Sequence, residues 1–302
     1  MINSLNKSEF ENKGFTLIKN FLDKEKVKKI KELNQDIIKK CEKGDWPFLS
    51  VYKDYPHFGG VINLFGVNYP LHGQLDKSIY NIVSKIKIES CIKYLLNWRN
   101  YKTTLIRLHT FNKNYNYQGA WHRDNEDFES QDTIQSVLYL MDESGFRIVP
   151  KFNNKKLAEY AIPVSGEEAK VDYMYRKLDK NMYESISAKS GDLFIFRSSL
   201  LHQGFSLDKR MHYHMRHEKS IEEISSISGL QFVDDYKSSA NIEHLKTIYK
   251  GYTNSNSFKD KFLRFRVFIA YFFPRIKSLI SNLFKKKNQK DYVLHNTIWQ
   301  KK

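Results

Sequence analysis

Two residues of metal-ligand type lie one position apart in the segment GAWHRDNED. They are His122 and Asp124, an imidazole and a carboxylate. Side chains at positions i and i+2 lie on the same face of a β-strand, so both can point at one metal ion. The spacing therefore predicts two ligands of a metal site, to be completed by a residue from elsewhere in the chain.

A third candidate ligand lies near the end of the segment KSGDLFIFRSSLLHQG. There a Gly191-Asp192 turn leads into a hydrophobic strand, and the loop after that strand presents His202. Two histidines and one carboxylate with open coordination positions are typical of non-haem Fe(II) oxygenases. We therefore predict His122, Asp124 and His202 as metal-binding and catalytic residues, with open positions for a bidentate co-substrate and O2.

An arginine on the next predicted strand fits the co-substrate of such a site. The distal carboxylate of 2-oxoglutarate suits a guanidinium, which is planar, permanently charged and able to form two parallel hydrogen bonds. Arg210 opens the strand RMHYHMRHE, and strand alternation puts His212 and His214 on its face. We predict Arg210 as the anchor, with Arg216 as the weaker alternative.

The elements that must position these residues are short β-type runs between residues 103 and 218. The runs are TLIRLHTF, TIQSVLYLM, FRIVPKF, YAIPV, ESISAK, DLFIFR and RMHYHMRHE. Turn signals such as DESG and KSGD separate them, which predicts a sandwich or jelly roll. Upstream we expect a strand over 15–18, a helix that begins after an N-cap at Asp23, and helical periodicity over 77–99.

The chain resembles the phytanoyl-CoA dioxygenase family over roughly residues 8–217. The segments FENKGFTLIKNFLDKEKVKKI, WHRDNED and GDLFIFRSSLLHQG, followed by Arg210, carry the resemblance. The resemblance implies a mainly β protein with flanking helices and a double-stranded β-helix core of the jelly-roll or cupin-like type. It also implies an Fe(II) cofactor and 2-oxoglutarate as co-substrate, with succinate and CO2 as products. A carboxylate at Asp124 favours hydroxylation, since related halogenases have a small residue there.

The chain also departs from the family pattern at two places. Members often have a serine two residues after the distal histidine, where this chain has Gly204. We therefore predict Ser206 as the replacement hydroxyl near the co-substrate and Gln118 as a second residue lining that site. The segment GFRIVPKFN lacks the small residues and the histidine of the corresponding family loop. The substrates of family members therefore cannot be assigned to this chain.

The basic tail is the other informative region. The net charge is +16, and residues 258–290 hold ten Lys or Arg against one Asp. We predict an oxygenase domain over 1–218 and a helical, basic, amphipathic C-terminal extension over 219–302. Such a helix suits an anionic membrane surface, here through residues 258–287. The alternatives are a helical hairpin docked on the domain and, less favoured, binding of nucleic acid.

The remaining features narrow the protein class. No signal peptide is recognisable at the N-terminus, which predicts a cytoplasmic protein with optional peripheral contact to the inner face of the membrane. Two cysteines far apart exclude a disulfide scaffold. The main hypothesis is a hydroxylase acting on a small-molecule, lipid or saccharide substrate. The alternatives are a non-catalytic binding or adaptor module attached to a membrane by its tail, and a cupin-like isomerase or hydrolase that uses no 2-oxoglutarate.

Overall fold

The computed structural model describes ten segments of the chain. They are residues 5–43, 61–66, 88–110, 115–125, 130–154, 157, 177–206, 209–219, 291–294 and 297–301. The four helices are α1 (Lys7–Lys13), α2 (Lys24–Lys43), α3 (Ile88–Leu96) and α4 (Lys151–Asn154). The strands before residue 150 are β1 (Phe15–Ile18), β2 (Val61–Gly66), β3 (Tyr101–Thr110), β4 (Tyr115–Gly119), β5 (Thr133–Tyr139) and β6 (Glu143–Ile148). The strands after it are β7 (Glu184–Ala188), β8 (Leu193–Arg197), β9 (His202–Gln203), β10 (Phe205–Ser206), β11 (Met211–Lys219), β12 (Asp291–Leu294) and β13 (Thr297–Lys301).

The largest sheet is antiparallel, has six strands and is covered on both faces. Its order is β1-β8-β5-β11-β3-β2. Alternate residues of each strand face opposite sides. Leu138 and Tyr213 pack with the helices, whereas Val137 and Phe194 pack with the small sheet. This double burial explains why the first four residues of β8, LFIF, are all apolar, and every residue of the strand is buried.

The smaller sheets close the other side of the barrel. One has the order β7-β6-β9 and the other β10-β4-β13-β12. Aromatic residues fill the space between the large sheet and the β6–β7 pair, with Phe146 5.5 Å from Phe194 and 5.2 Å from Phe196 between ring centroids. The layers match the predicted double-stranded β-helix with flanking helices.

The N-terminal helices begin and end where the sequence signals lie. The Asp23 side chain accepts a hydrogen bond from the Lys26 backbone N–H at 2.8 Å, as expected of an N-cap. Gly14 ends α1 at a φ of 82°, a left-handed conformation that favours glycine. The chain then enters β1, which pairs with β8 along its whole length.

The Gly191-Asp192 turn has a structural role that its sequence signal does not specify. Gly191 has a φ of 97°, and a Cβ there would lie 2.5 Å from the Leu22 carbonyl oxygen. The two carboxylate oxygens of Asp192 accept backbone N–H groups of Asn20 and Lys189, each at 2.8 Å. The turn thus joins the start of β8 to the N-terminal segment.

One predicted strand differs in the structure, and another lies outside the described residues. The run FRIVPKF was expected as one strand, but β6 begins at Glu143, inside the predicted DESG turn, and ends before Pro150. A bulge with Gly145 at a φ of 119° lets this strand begin within the turn signal. The run YAIPV lies outside the described residues.

The C-terminal extension also differs from its prediction at its end. Residues 291–301 were expected to be helical, but they form the hairpin β12–β13, and β13 pairs with β4. A short hairpin on a sheet edge is stabilised by its partner strand, which local composition does not reveal. The basic segment 258–287 lies outside the described residues, and so does most of the predicted second domain. None of the helices in the described segments is long and apolar enough to cross a membrane.

Candidate metal centre

A short backbone bridge brings the predicted ligands together. His122 and His202 exchange both backbone N–H···O hydrogen bonds, each at 3.0 Å. The Asp124 backbone N–H donates to the Ser198 carbonyl at 3.1 Å, which fixes the second half of the HxD segment. One ligand atom from each of His122, Asp124 and His202 then lies within 4.8 Å of the others. The three residues predicted from spacing therefore meet at one point.

Both histidines are oriented by the same contact. The Nδ1 atoms of His122 and His202 donate to the carbonyls of Ala120 and Leu200, each at 2.9 Å. A carbonyl can only accept, so Nδ1 carries a proton and Nε2 is the ring atom that can bind a metal. Burial and the neighbouring His202 lower the pKa of His122, which keeps its ring neutral, the form that binds metal.

Asp124 is held as an ionised carboxylate. Burial alone would raise its pKa, but the contact with His202 and the charge of Arg216 hold the pKa well below its usual value. The Arg216 guanidinium donates to Oδ1 at 2.7 Å, and Oδ2 lies 3.3 Å from His202 Nε2. The carboxylate is thus in the state that a divalent cation requires.

Gln135 forms a second support for Asp124. It is fully buried on β5, its amide nitrogen donates to Asp124 Oδ2, and its amide oxygen accepts from His214 Nε2. Burial lowers the pKa of His214 well below its usual value, so the ring is neutral in this contact. The contact of Gln135 with a ligand carboxylate is a finding of the structure, because it joins two segments that no local motif connects.

Arg123, the residue between the two ligands, ties their segment to the segment that carries His202. Its guanidinium points away from the metal site and donates to Leu157 and to two oxygens of Asn154, each at 3.1 Å. Asn154 in turn donates to the Ser199 carbonyl and accepts from the Leu201 N–H, both at 3.0 Å. Sequence reasoning missed both residues, although alternation requires the middle residue of HxD to face the opposite side.

The predicted anchor Arg210 lies in a polar pocket on the inner face of β3 and β11. Its side chain is 4% exposed, and Nε donates to the Thr110 carbonyl at 2.9 Å. The neighbouring His212 donates to Glu143 at 2.8 Å and stacks on His109 with a centroid distance of 4.8 Å. The alternative anchor Arg216 is already engaged with Asp124, which favours Arg210.

His109 has an unusual environment beside this arginine. Both of its ring nitrogens are buried, and neither has a hydrogen-bond partner among the residues that the structure describes. Burial, followed by the charges of His212 and Arg210, lowers its pKa well below the usual value, so the ring is neutral. A neutral imidazole offers one donor and one acceptor, so its donor fits an anionic ligand held by the adjacent guanidinium.

The other two predicted co-substrate residues lie on paired strands. Gln118 of β4 is opposite Phe205 of β10, and Ser206 is opposite Tyr117. Their side chains lie outside the described structure, so both roles stay predictions. Gly204, which stands at the usual serine position, accepts the Gly119 N–H at 2.7 Å. A Cβ on Gly119 would lie 3.2 Å from the Gly204 carbonyl oxygen, so the two segments approach closely.

Comparisons with known proteins agree with this fold. The family model described as phytanoyl-CoA dioxygenase (PhyH) matches residues 10–207. A structure of EctD from S. alaskensis with 2-oxoglutarate and 5-hydroxyectoine is similar at 10% identity, with a TM-score of 0.50 and coverage of 74% of this chain and 86% of that chain.

Two further solved structures are similar. One is the non-heme alpha ketoglutarate dependent carbocyclase SnoK from nogalamycin biosynthesis, at 12% identity, with a TM-score of 0.50 and coverage of 72% and 85% of the two chains. The other is AviO1 from Streptomyces viridochromogenes Tue57, at 13% identity, with a TM-score of 0.47 and coverage of 73% and 96%. No curated protein matches the chain. The family model covers well over half of the sequence, and the chain belongs to the phytanoyl-CoA dioxygenase family.

Proposed function

We propose that this protein is an Fe(II)- and 2-oxoglutarate-dependent dioxygenase that hydroxylates a small-molecule substrate. The observation that carries the proposal is the cluster of His122, Asp124 and His202, whose ligand atoms lie within 4.8 Å of one another. Both imidazoles are held through Nδ1, which leaves Nε2 as the metal-facing atom, and the carboxylate is ionised. This donor set, without thiolates, is the one that non-haem Fe(II) uses when it must keep open positions.

The residues around the cluster fit the co-substrate as well. Arg210 would hold the distal carboxylate of 2-oxoglutarate, and the unpartnered nitrogens of His109 lie on the same inner face. A bound iron would supply activation of O2 coupled to oxidative decarboxylation of 2-oxoglutarate to succinate and CO2. The protein supplies the orientation of each ligand and a buried, preorganised environment.

The chain's own residues keep the ligands in place during such a reaction. Arg216 and Gln135 hold the carboxylate of Asp124 from two directions. Phe146 stacks on His202 at 5.6 Å, and Phe196 contacts the same ring edge-on at 5.0 Å. These rings limit rotation of the His202 side chain and exclude water from that side of the site.

Hydroxylation is the favoured outcome of the proposal. Asp124 supplies a third protein ligand, the position where halogenases keep a small residue. The EctD structure holds a hydroxylated compound, 5-hydroxyectoine, whereas SnoK is a carbocyclase, so ring formation is the second candidate outcome. A lipid or saccharide substrate and membrane contact through residues 258–287 belong to the proposal on the strength of the basic tail, and the proposed location is cytoplasmic.

The test is turnover that depends on the triad. Purified protein with Fe(II), 2-oxoglutarate and a cell extract as substrate source is expected to form succinate and add one oxygen atom to a component. Asp124→Ala should abolish both signals, and Asp179→Ala, an exposed aspartate outside the site, should change neither. Succinate formation that persists in Asp124→Ala would contradict the assignment. A dehydrogenated or cyclised product would keep the assignment of Fe(II) and 2-oxoglutarate, but that reaction would replace hydroxylation in the proposal.

A further inference from the structure

A second pocket lies apart from the metal centre, and none of the metal-binding residues lines it. Its volume is about 260 Å³, and its walls come from α1, the end of α3 with the residues after it, the start of α4 and the end of β8. Three cationic side chains line it, those of Lys7, Lys151 and Arg197, against a single carboxylate from Glu11. The pocket is therefore a positively charged cavity that the oxygenase reaction does not use.

Arg197 is the unusual member of this group. Only 8% of its surface is exposed, and within the described part of the chain neither Nε nor Nη1 has a hydrogen-bond partner. Its guanidinium lies 5.1 Å from the Phe10 ring centroid, a contact that compensates only part of the charge. Burial lowers the pKa of Arg197, and the more distant Glu11 opposes this effect without forming an ion pair. A buried cation in this state is stabilised by an anion that enters the pocket.

The two lysines extend the same charge toward solvent. Lys151 is exposed and Lys7 is half-buried, and within the described segments neither forms an ion pair. The four charged groups leave an excess of two positive charges, which matches a dianion. Leu95, Leu96 and Trp98 add an apolar wall next to these cations. The cavity therefore has room for a small organic group beside a compact anionic centre.

We propose that this pocket binds a phosphate group carried by a small molecule. A phosphate is close to a dianion at neutral pH and offers several acceptor oxygens to guanidinium and ammonium donors. The Arg197 charge would meet the phosphate at the base of the pocket, with Lys7 and Lys151 at its rim. The site is separate from the iron and the co-substrate, so its occupancy does not depend on the proposed oxygenase activity.

The test is calorimetric titration of the full-length, metal-free protein with inorganic phosphate and with phenyl phosphate. We expect one saturable site, weakened about tenfold or more in Lys7→Gln/Lys151→Gln because the charge that compensates the dianion is lost. The matched control Lys28→Gln/Lys180→Gln removes two exposed, unpaired lysines elsewhere and should bind as the wild type does. Arg210→Ala should also retain the site, which separates it from the co-substrate anchor.

The titrations with the two probes test the proposal and also distinguish a phosphate ester from free phosphate as the ligand. Tighter binding of phenyl phosphate would support a phosphate ester as the ligand, and equal binding of both probes would support the free ion. Arg197→Gln should lose the site, and if that variant fails to fold, the lysine pair alone decides. Absence of saturable binding in the wild type, or equal weakening in both lysine pairs, would overturn the proposal.

Discussion

The two faces of the large sheet both contain histidines, and His217 on one face and His109 on the other have opposite hydrogen-bonding states. On the helix-facing side, His217 is buried with Nδ1 2.9 Å from the Thr103 hydroxyl and Nε2 2.7 Å from the Ser136 hydroxyl. On the inner face, His109 has no partner at either nitrogen. A satisfied buried imidazole stabilises the fold, whereas an unsatisfied one lowers stability unless a ligand completes it. The comparison separates structural histidines from binding histidines.

The largest expected effect on stability comes from removing the satisfied histidine. His217→Leu leaves the buried hydroxyls of Thr103 and Ser136 without partners, so the free energy of unfolding should fall by about 3 kcal/mol. Urea denaturation measures this change. Affinity for Fe(II) should stay within about twofold of the wild type, because His217 does not touch the ligands. A loss of metal binding in a folded His217→Leu protein would break the comparison.

Substitution of Gln135 tests how the metal ligand Asp124 is held in place on the inner face. Gln135→Leu keeps the volume but removes the hydrogen bond to Asp124, so Fe(II) affinity should fall about 10- to 100-fold. Metal titration under anaerobic conditions measures the affinity. Ser187→Leu, at an exposed position on β7, is a control with a new leucine outside the site. Unchanged Fe(II) affinity in Gln135→Leu would show that Arg216 alone orients the carboxylate.

Substitution of His109 tests the proposed binding role of this inner-face histidine directly. His109→Leu removes no hydrogen bond from the protein, so the free energy of unfolding should change by less than about 1 kcal/mol. The KM for 2-oxoglutarate should rise about tenfold, because one hydrogen bond to a charged ligand is lost. Steady-state kinetics with varied 2-oxoglutarate measures this constant. An unchanged KM together with a large loss of stability would show that His109 has a structural role and does not bind 2-oxoglutarate.

The pH dependence of stability sharpens the same comparison. Burial lowers the pKa of His217 to about 3 in the folded protein, against an ordinary value of 6.5. Between these values the unfolded chain binds the additional proton, so stability falls as the pH drops, by up to about 1.4 kcal/mol per pH unit for this one residue. Urea unfolding of the wild type and His217→Leu between pH 4 and pH 7 should give a smaller slope for the variant. Equal slopes would contradict a neutral, buried His217.

The sequence could predict the ligands because their chemistry is local. The HxD spacing fixes two side chains on one side of the chain, and the run DLFIFR followed by a loop indicates where His202 emerges. The structure confirms the strand β8 and places His202 in the short strand β9, whereas His122 lies in an isolated β-bridge outside the named strands. The backbone bridge between His122 and His202 could not be predicted, because it depends on the pairing of segments distant in sequence.

The supports of the site were harder to predict for the same reason. Arg123 and Asn154 form a hydrogen bond between segments that are far apart in the chain, and no local sequence motif identifies either residue. Trp121, next to the first ligand, packs in a cluster with Leu201, 5.2 Å from the Tyr183 ring centroid, a contact that the sequence does not indicate. The terminal hairpin was missed because its stability comes from pairing with β4.

The most direct test of the central claim is anaerobic titration of the purified protein with Fe(II) and 2-oxoglutarate, followed by the visible charge-transfer band of the complex. The account predicts a band in the wild type and in the control Arg99→Ala, an exposed arginine outside the site. The band should be absent in His122→Ala, and in Arg210→Ala it should require at least about tenfold more 2-oxoglutarate. A folded wild-type protein that binds Fe(II) but gives no band with 2-oxoglutarate would contradict the oxygenase assignment.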